Sequence, residues 1–218
     1  MNKKMVLSVG QLPFAFFKVS SLLNSVRMEL FLMFKKIKGP KMNLRLLVLL
    51  AVLLALAVIA GQFLSFGTNV LQVSFRFVIN TIIATLAGPI WTGLSLAVSD
   101  IIGTLLFGKY GYFPGFTFSA FIVGLLYGLF FFRKKLLWAK WQDWVYTFFA
   151  MAIIMFLDTA FFNTLWVTIL YKAPFSINLA ARLPLLWQIP LRTFVVMLIL
   201  PVLQEIPLIK KSLSLSRK

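Results

Sequence analysis

Uninterrupted apolar runs constrain the fold of this chain more than any other feature. Residues 46–64, for example, contain no charged side chain. A helix needs about 20 mostly apolar residues to cross roughly 30 Å of hydrocarbon, and this run has that length. Charged residues make up only 12% of the chain, whereas a soluble domain carries about 25%. The sequence therefore predicts an integral membrane protein.

Six segments qualify as spans, and they predict an all-α integral membrane protein with six transmembrane helices. The pair Gly88-Pro89 is expected to break the second span from the third, because both residues disfavour helical continuation. None of the runs alternates between apolar and polar residues, as the strands of a membrane barrel do. The predicted spans cover residues 46–64, 75–87, 90–107, 116–132, 145–170 and 183–203.

The cations predict which side of the membrane each loop faces. The chain has 22 lysines and arginines against 5 acidic residues, and cytoplasmic loops carry the excess of Lys and Arg. With six spans the three basic regions share one side, so both termini are predicted to be cytoplasmic. The cations punctuate apolar runs and form no continuous stripe, so nucleic acid is not an expected partner. The three basic regions contain Lys35, Lys36, Lys38, Lys41 and Arg45, then Arg133, Lys134, Lys135 and Lys140, and finally Lys210, Lys211, Arg217 and Lys218.

Residues 1–41 differ from the rest of the chain. Apolar residues recur at steps of three and four between residues 12 and 33, with polar and basic residues between them. This pattern indicates a basic amphipathic extension lying on the cytoplasmic interface of the bilayer. Alternatively, Met42 is the native start and residues 1–41 are an upstream extension. Residues 42–218 are the six-helix membrane domain under either interpretation.

The chain contains neither cysteine nor histidine. Their absence removes thiolate nucleophiles, most zinc sites and the commonest general base. The acids within predicted spans, Asp100 and Asp158, lie on different helices, whereas intramembrane chemistry usually needs clustered carboxylates. We therefore expect no enzymatic activity, no metal and no cofactor.

Polar side chains within the spans concentrate in the predicted outer half of the bundle. A charged group inside a span costs about 2.5–3.5 kcal/mol on insertion scales, so each needs a partner or a cavity. The simplest explanation is a ligand cavity that opens outward. The alternative is that these residues form hydrogen bonds between helices. They are Gln62, Arg76, Asp100, Thr117, Ser119, Asn163, Trp166 and Arg182.

Two further features have a structural and a functional interpretation. Asp158 and Arg192 fall at similar depth near the centres of their spans, and we expect them to form a structural ion pair. The loop at residues 107–116 is aromatic and contains three glycines and one proline. It is either an interfacial belt or a lid that stacks on a flat ligand. Its candidate ligand-facing residues are Tyr112, Phe113 and Phe116.

Five short stretches of the chain form a characteristic set, namely GQFLSFGT (61–68), SDIIG (99–103), YFPGFT (112–117), NTLW (163–166) and ARL (181–183). Together they resemble the substrate-binding (S) components of energy-coupling-factor (ECF) vitamin transporters, and in particular the folate-specific S components. Six spans, cytoplasmic termini and an outward cavity are similar to that family as well. The resemblance covers roughly residues 44–203 and leaves the first 41 residues outside it.

The resemblance implies a carrier that captures folate outside the cell and releases it inward. Its partners would be a transmembrane coupling subunit and two cytoplasmic ATPases. The chain itself has no glycine-rich phosphate loop ending in Gly-Lys-Ser/Thr, so other chains would have to hydrolyse ATP. In the family, small residues on the first span pack against the coupling subunit, a role that falls here to Ala51 and Ala55, whose four-residue spacing lets a helix approach closely.

Folate has a flat pterin, an aminobenzoyl ring and a glutamate tail with two carboxylates. Under the resemblance, Asp100 and Asn163 are candidates for the pterin edge and the aromatic residues for stacking on the ring. The arginines are candidates for the tail carboxylates, which a guanidinium binds bidentately. The predicted substrate-binding residues are Gln62, Arg76, Asp100, Tyr112, Phe113, Phe116, Thr117, Asn163, Trp166 and Arg182.

Three alternatives stay open at the level of sequence. The chain is an S component for another vitamin, such as riboflavin or thiamin. It is a small intramembrane enzyme, for example a lipid-modifying transferase. Or it is an assembly protein of the membrane without a ligand.

Overall fold

The computed structural model describes residues 39–40, 42–67, 72–108, 111–172 and 174–206. They contain five helices that are long and apolar enough to cross a membrane, which confirms the prediction of an all-α membrane protein. The predicted extension at residues 1–41 lies outside the described residues except at Gly39 and Pro40. The helices are α1 Leu44–Gln62, α2 Arg76–Phe107, α3 Pro114–Phe131, α4 Trp141–Tyr171 and α5 Phe175–Gln204.

Helix α2 corrects the predicted count of six spans to five helices. It contains both the second and the third predicted span, because only Gly88 departs from helical geometry, with φ 78°. The chain turns back at this glycine. Arg76 Nη2 donates to Ser99 Oγ at 2.8 Å, although a straight helix would separate these two residues by about 34 Å. The predicted break at Gly88-Pro89 is present as a sharp turn, and the two predicted spans are the two antiparallel arms of α2 that it joins.

Helix α1 is an apolar helix with one buried and one exposed face. Its first turn is capped by Asn43, whose side-chain oxygen accepts from the Leu46 backbone N–H at 2.9 Å, as expected of an N-cap. Ala51 and Ala55 lie on the exposed face. The buried face packs against α2 in an apolar cluster of Leu50, Leu53, Ile83, Leu86 and Ala87.

Glycines bring the second arm of α2 and helix α3 into close contact. A Cβ added at Gly124 would lie 2.7 Å from the Gly93 Cα, and one added at Gly128 would lie 2.3 Å from the Pro89 Cα. Both neighbours are backbone atoms, so no side chain can move aside to make room. Close approach through small residues is the usual way in which membrane helices gain packing contacts.

Helices α4 and α5 are both interrupted. The centre of α4 is a π-helical segment, Phe156–Asn163, and such segments are frequent at functional sites. Asp158 and Asn163 belong to this segment, and both line the cavity between the helices. The α-helical parts of α4 are Trp141–Met155 and Thr164–Tyr171, and α5 consists of Phe175–Arg182, a 3₁₀ turn Leu183–Trp187 and Gln188–Gln204.

Short connections mark the two ends of the bundle. An antiparallel hairpin that was not predicted, β1 Ser65–Gly67 and β2 Gln72–Ser74, joins α1 to α2. At the opposite end the Gln204 amide accepts from the Leu136 N–H at 3.0 Å and donates to the Lys134 carbonyl at 2.8 Å. Following the orientation predicted from the cations, we call the end with the hairpin the outer end.

Candidate functional site

A cavity of about 310 Å³ lies among helices α2, α3, α4 and α5. Its volume is at the lower end of the range of about 300–1,000 Å³ that is typical of small-molecule sites. Polar groups inside a membrane bundle are costly unless they serve a ligand or a partner, which makes this cavity the candidate binding site. The polar residues of the lining are Ser74, Arg76, Asn80, Asp100, Ser119, Tyr127, Asp158, Asn163 and Arg192.

The cavity brings together four of the residues that the sequence predicts for the site. Arg76 and Asp100 come from the two arms of α2, Phe116 from α3 and Asn163 from the π-helical segment of α4. The turn at Gly88 is what places the first two side by side, since it returns the second arm to the outer end.

The Arg76 side chain is held in place by its neighbours. Its Nη2 donates to the Ser99 Oγ at 2.8 Å, and its backbone N–H donates to the Ser74 Oγ at 3.3 Å. A Cβ added at Gly61 would lie 3.3 Å from the Arg76 Cδ, so the alkyl chain packs directly on α1. The guanidinium is therefore preorganised on the cavity wall for an acceptor.

Asp100 is linked to the outer loop. Thr117 Oγ1 donates to Asp100 Oδ2 at 2.9 Å and lies within hydrogen-bond range of the Tyr112 hydroxyl, at 3.2 Å. Thr117 and Tyr112 were both predicted for the site, but neither lines the cavity. Thr117 contacts Asp100, which does line it, and Tyr112 contacts Thr117. The chain of contacts orients Asp100 from outside.

An aromatic cluster covers the outer side of the cavity. Trp166 Nε1 donates to the Ser119 Oγ at 2.5 Å. The Phe113 ring lies 5.7 Å from the Trp166 ring and 5.9 Å from the Phe116 ring, centroid to centroid. A Cβ at Gly115 would lie 2.7 Å from the indole of Trp166, so the cluster needs a glycine there. This arrangement presents ring faces and edges beside the polar lining, as a flat ligand requires.

Gln62 and Arg182 lie apart from the cavity lining. Gln62 is exposed at the end of α1, 3.7 Å from the position that a Cβ on Gly103 would occupy. Arg182 is half-buried at the end of Phe175–Arg182. Their roles in binding remain predictions.

The inner part of the lining was not predicted as a binding surface. Asp158 and Arg192, which we expected to form a structural pair, both line the cavity. Arg192 Nη2 donates to the Gln188 Oε1 at 3.1 Å, and its guanidinium carbon lies 5.1 Å from the centre of the Phe77 ring. Asp158 lies on the π-helical segment of α4, which no sequence pattern indicated. The unpredicted residues are Asn80, Tyr127, Asp158 and Arg192.

The charges of the lining balance, with two arginines and two aspartates. Within the described ranges, no group of three or more His, Cys, Asp or Glu side chains is placed to hold a metal ion. The arrangement offers donors, acceptors and ring faces to one small molecule. It suits binding of a ligand that carries groups of both kinds.

Comparison with known proteins points to one family. No family model matches the chain. The folate transporter FolT of Streptococcus mutans serotype c is 39% identical over 176 residues, which cover 80% of this chain and 95% of that protein. The folate transporter FolT of Leuconostoc mesenteroides subsp. mesenteroides is 38% identical over 133 residues, covering 61% and 68%. A crystal structure of FolT bound with folic acid matches with a TM-score of 0.62 at 31% identity, covering 71% of this chain and 91% of that one.

Proposed function

The chain belongs to the folate transporter FolT family, and we propose on this premise that it binds folate in the cavity of its helix bundle. As a member of that bacterial family it is a multi-pass membrane transport protein and not an enzyme. The relatives are named for folate transport, and the solved FolT structure holds folic acid. The proposal carries that ligand over to this chain.

The observation that supports the proposal is the combination of groups around one cavity. Arg76 offers a fixed cation for a carboxylate, and Asp100 and Asn163 offer acceptors and donors for a heterocycle edge. Phe116, at the cavity, and the Trp166 ring behind it belong to the aromatic cluster. Folate carries carboxylates, a hydrogen-bonding heterocycle and two ring systems, so each wall has a counterpart in the ligand.

Binding of folate to the purified full-length protein in detergent tests the proposal. We expect Asp100→Asn to weaken folate binding about 10- to 100-fold, because hydrogen bonds to a charged group contribute about 1.5–3 kcal/mol. Arg182→Ala, outside the cavity lining, should weaken binding less than about fivefold, in line with a partly exposed charge. Titration calorimetry measures both.

Glu205→Gln is the matched control for this experiment, because it also converts an acid to an amide but lies at the inner end of the bundle. It should bind folate like the unchanged protein. Saturable binding of riboflavin or thiamin without binding of folate would contradict the proposal and favour an S component for another vitamin.

We further propose that this chain works as an S component, with a transmembrane coupling subunit and two ATPases as partners. Its exposed α1 face supports this proposal. Ala51 and Ala55 are both exposed there, where small residues let a partner helix approach closely. Larger apolar residues flank them on the same face, namely Leu47, Val48, Val52, Leu56 and Ile59.

Enlarging the two alanines tests the coupling surface. In the double variant Ala51→Phe with Ala55→Phe, we expect co-purification with the coupling subunit to be lost, because two bulky rings prevent close helix packing. Folate binding should persist, since neither residue lines the cavity. Val202→Phe, a change at an exposed position of α5, is the control and should leave assembly intact. Undiminished assembly of the double variant would contradict this assignment.

A further inference from the structure

An open groove of about 480 Å³ lies on the outside of the bundle, between the first part of α4 and the segment Gln188–Gln204 of α5. It shares no residue with the lining of the candidate site. In a membrane the space outside the helices is filled by lipid tails or by another helix, so the groove has an occupant of one of these kinds. Five large rings border it, namely Trp141, Trp144, Phe148, Phe149 and Phe194.

The shape of the groove is fixed by contacts within the protein. Trp144 Nε1 donates to the Trp138 carbonyl at 3.1 Å, and the Trp144 ring lies 6.2 Å from the Phe194 ring, centroid to centroid. Thr193 lies between the rings in the lining and is only 5% exposed, whereas Phe194 is 55% exposed. The groove therefore has a deep floor and raised rims before any occupant arrives, which favours binding.

The lining is apolar except at its inner end. The Thr193 hydroxyl donates to the Ile189 carbonyl at 2.8 Å, and the Trp144 indole already bonds to Trp138. Trp141, the first residue of α4, is 77% exposed, and tryptophans at a membrane interface place their rings at the level of the lipid headgroups. The groove thus suits an occupant that is apolar along its length and polar at the inner end.

The length of the groove matches one leaflet of the bilayer. Trp141 and Phe149 lie eight residues apart on α4, which is about 12 Å along a helix. The hydrocarbon core is about 30 Å thick, so that one leaflet contributes about 15 Å. The groove therefore runs from the inner interface nearly to the midplane, along the path of one acyl chain.

A transmembrane helix fits this groove poorly. Membrane helices approach each other through small residues, such as Ala51 and Ala55 on α1. Here the rims are large, and Phe149 and Phe194 are 61% and 55% exposed. They would hold a helix about 10 Å in diameter away from the floor. A hydrocarbon chain is thin and flexible enough to lie between them.

Positive charge collects at the inner end of the groove. Residues 133–140, which connect α3 to α4, contain three lysines, one arginine and no acid. Lys140 is exposed and directly precedes Trp141. The acids at this end are Asp143, which is buried and accepts from the backbone of the same connection at 2.9 Å, and Glu205. Four cations against two acids leave a net positive charge, which attracts anionic lipid headgroups.

We propose that the groove between α4 and α5 binds one acyl chain of an anionic phospholipid of the inner leaflet, with the phosphate of its headgroup at Lys140. The inference goes beyond the proposed folate function and does not depend on it. It assigns to this face of the bundle a bound lipid that stays with the protein when the surrounding bilayer is removed.

Lipid retention by the full-length protein tests the proposal. Protein in a mild detergent is mixed with phosphatidylglycerol or with phosphatidylcholine of the same acyl chains, and native mass spectrometry counts the bound lipids. We expect one phosphatidylglycerol per protein, retained at least about fivefold better than phosphatidylcholine, as for one cation beside an anionic lipid. Phosphatidylglycerol should also raise the thermal unfolding midpoint, because it binds the folded state. Equal retention of the two lipids would overturn the proposal.

Filling the groove tests the place of binding. Val145 is half-buried in the lining, and Val145→Trp should lower the retention of both lipids at least about tenfold, which corresponds to the exclusion of about two methylene groups. Val202→Trp is the matched control, since Val202 is exposed on α5 outside the lining, and it should retain both lipids. Cooperative thermal unfolding shows that each variant folds. Undiminished retention by a folded Val145→Trp protein would place the lipid elsewhere and overturn the assignment.

Lys140→Gln tests the headgroup contact without disturbing the packing. Retention of phosphatidylglycerol should fall about fivefold, to the level of phosphatidylcholine, whose own retention stays the same. Lys172→Gln, which removes an exposed lysine at the opposite end of α4, is the control and should change neither. An equal fall for both lipids in Lys140→Gln, or no fall for either, contradicts the headgroup assignment. Loss of assembly with the coupling subunit in Val145→Trp, at unchanged lipid retention, would identify a protein interface instead.

Discussion

Arg76→Ala is expected to weaken folate binding at least about 30-fold, because truncating one member of a buried charge network costs about 2–5 kcal/mol. Arg76 lies on the cavity wall at the start of α2, which we call the outer wall. Its guanidinium donates to the Ser99 Oγ, and its alkyl chain packs on Gly61. Its loss removes the partner for a ligand carboxylate and leaves the two aspartates of the lining with one cation fewer. Equilibrium binding of tritiated folate to purified protein measures the effect.

Two companion variants make this result specific. Arg76→Lys keeps the charge but not the planar fork of donors, so its affinity should fall between those of the alanine variant and the unchanged protein. Arg45→Ala removes an exposed arginine at the start of α1 and should bind folate normally. Normal binding by a well-folded Arg76→Ala protein would show that the outer wall does not hold the ligand.

The second large effect concerns folding. Gly128→Ala places a Cβ 2.3 Å from the Pro89 Cα and 2.5 Å from the Pro89 nitrogen. Neither atom can move without separating α2 from α3, so we expect a destabilisation of about 3 kcal/mol, at the upper end for overpacked cores. The thermal unfolding midpoint in detergent should fall by roughly 6–12 °C.

Gly103→Ala, a glycine of α2 that faces α1, is the control. A Cβ there would meet only the Gln62 Nε2, at 3.7 Å, which is ordinary contact. Alanine also favours a helix over glycine by about 1 kcal/mol, so the unfolding midpoint should stay level or rise. Equal loss of stability in the two variants would contradict the close contact at Pro89.

The apolar spans were readable from the sequence because the bilayer imposes their length directly. The second and third spans and the break between them were located correctly, but not how short that break is. A Gly-Pro pair is expected to end a helix, whereas Gly88, with its positive φ, turns the chain back so tightly that helical geometry resumes at the next residue. A rule based on local propensity does not include the packing of α3 against Pro89, which supports such a turn.

We predicted the candidate site from the polar residues within the spans and from their depth in the membrane. These two properties identify only part of the site. Arg76, Asp100, Phe116 and Asn163 line the cavity because their depth and facing agree. Asn80 went unnoticed because a single asparagine in a short span has no pattern around it. The π-helical segment changes the register of α4, so facing on that helix cannot be computed from a regular period.

The turn at Gly88 also has a consequence for the surrounding lipid. The first arm of α2 contains only residues 76–87, which is about 18 Å of helix, against a hydrocarbon thickness of about 30 Å. Lipid beside so short a helix would have to thin locally. None of residues 76–87 is exposed, however, so neighbouring helices cover this arm and the acyl chains meet those longer helices instead.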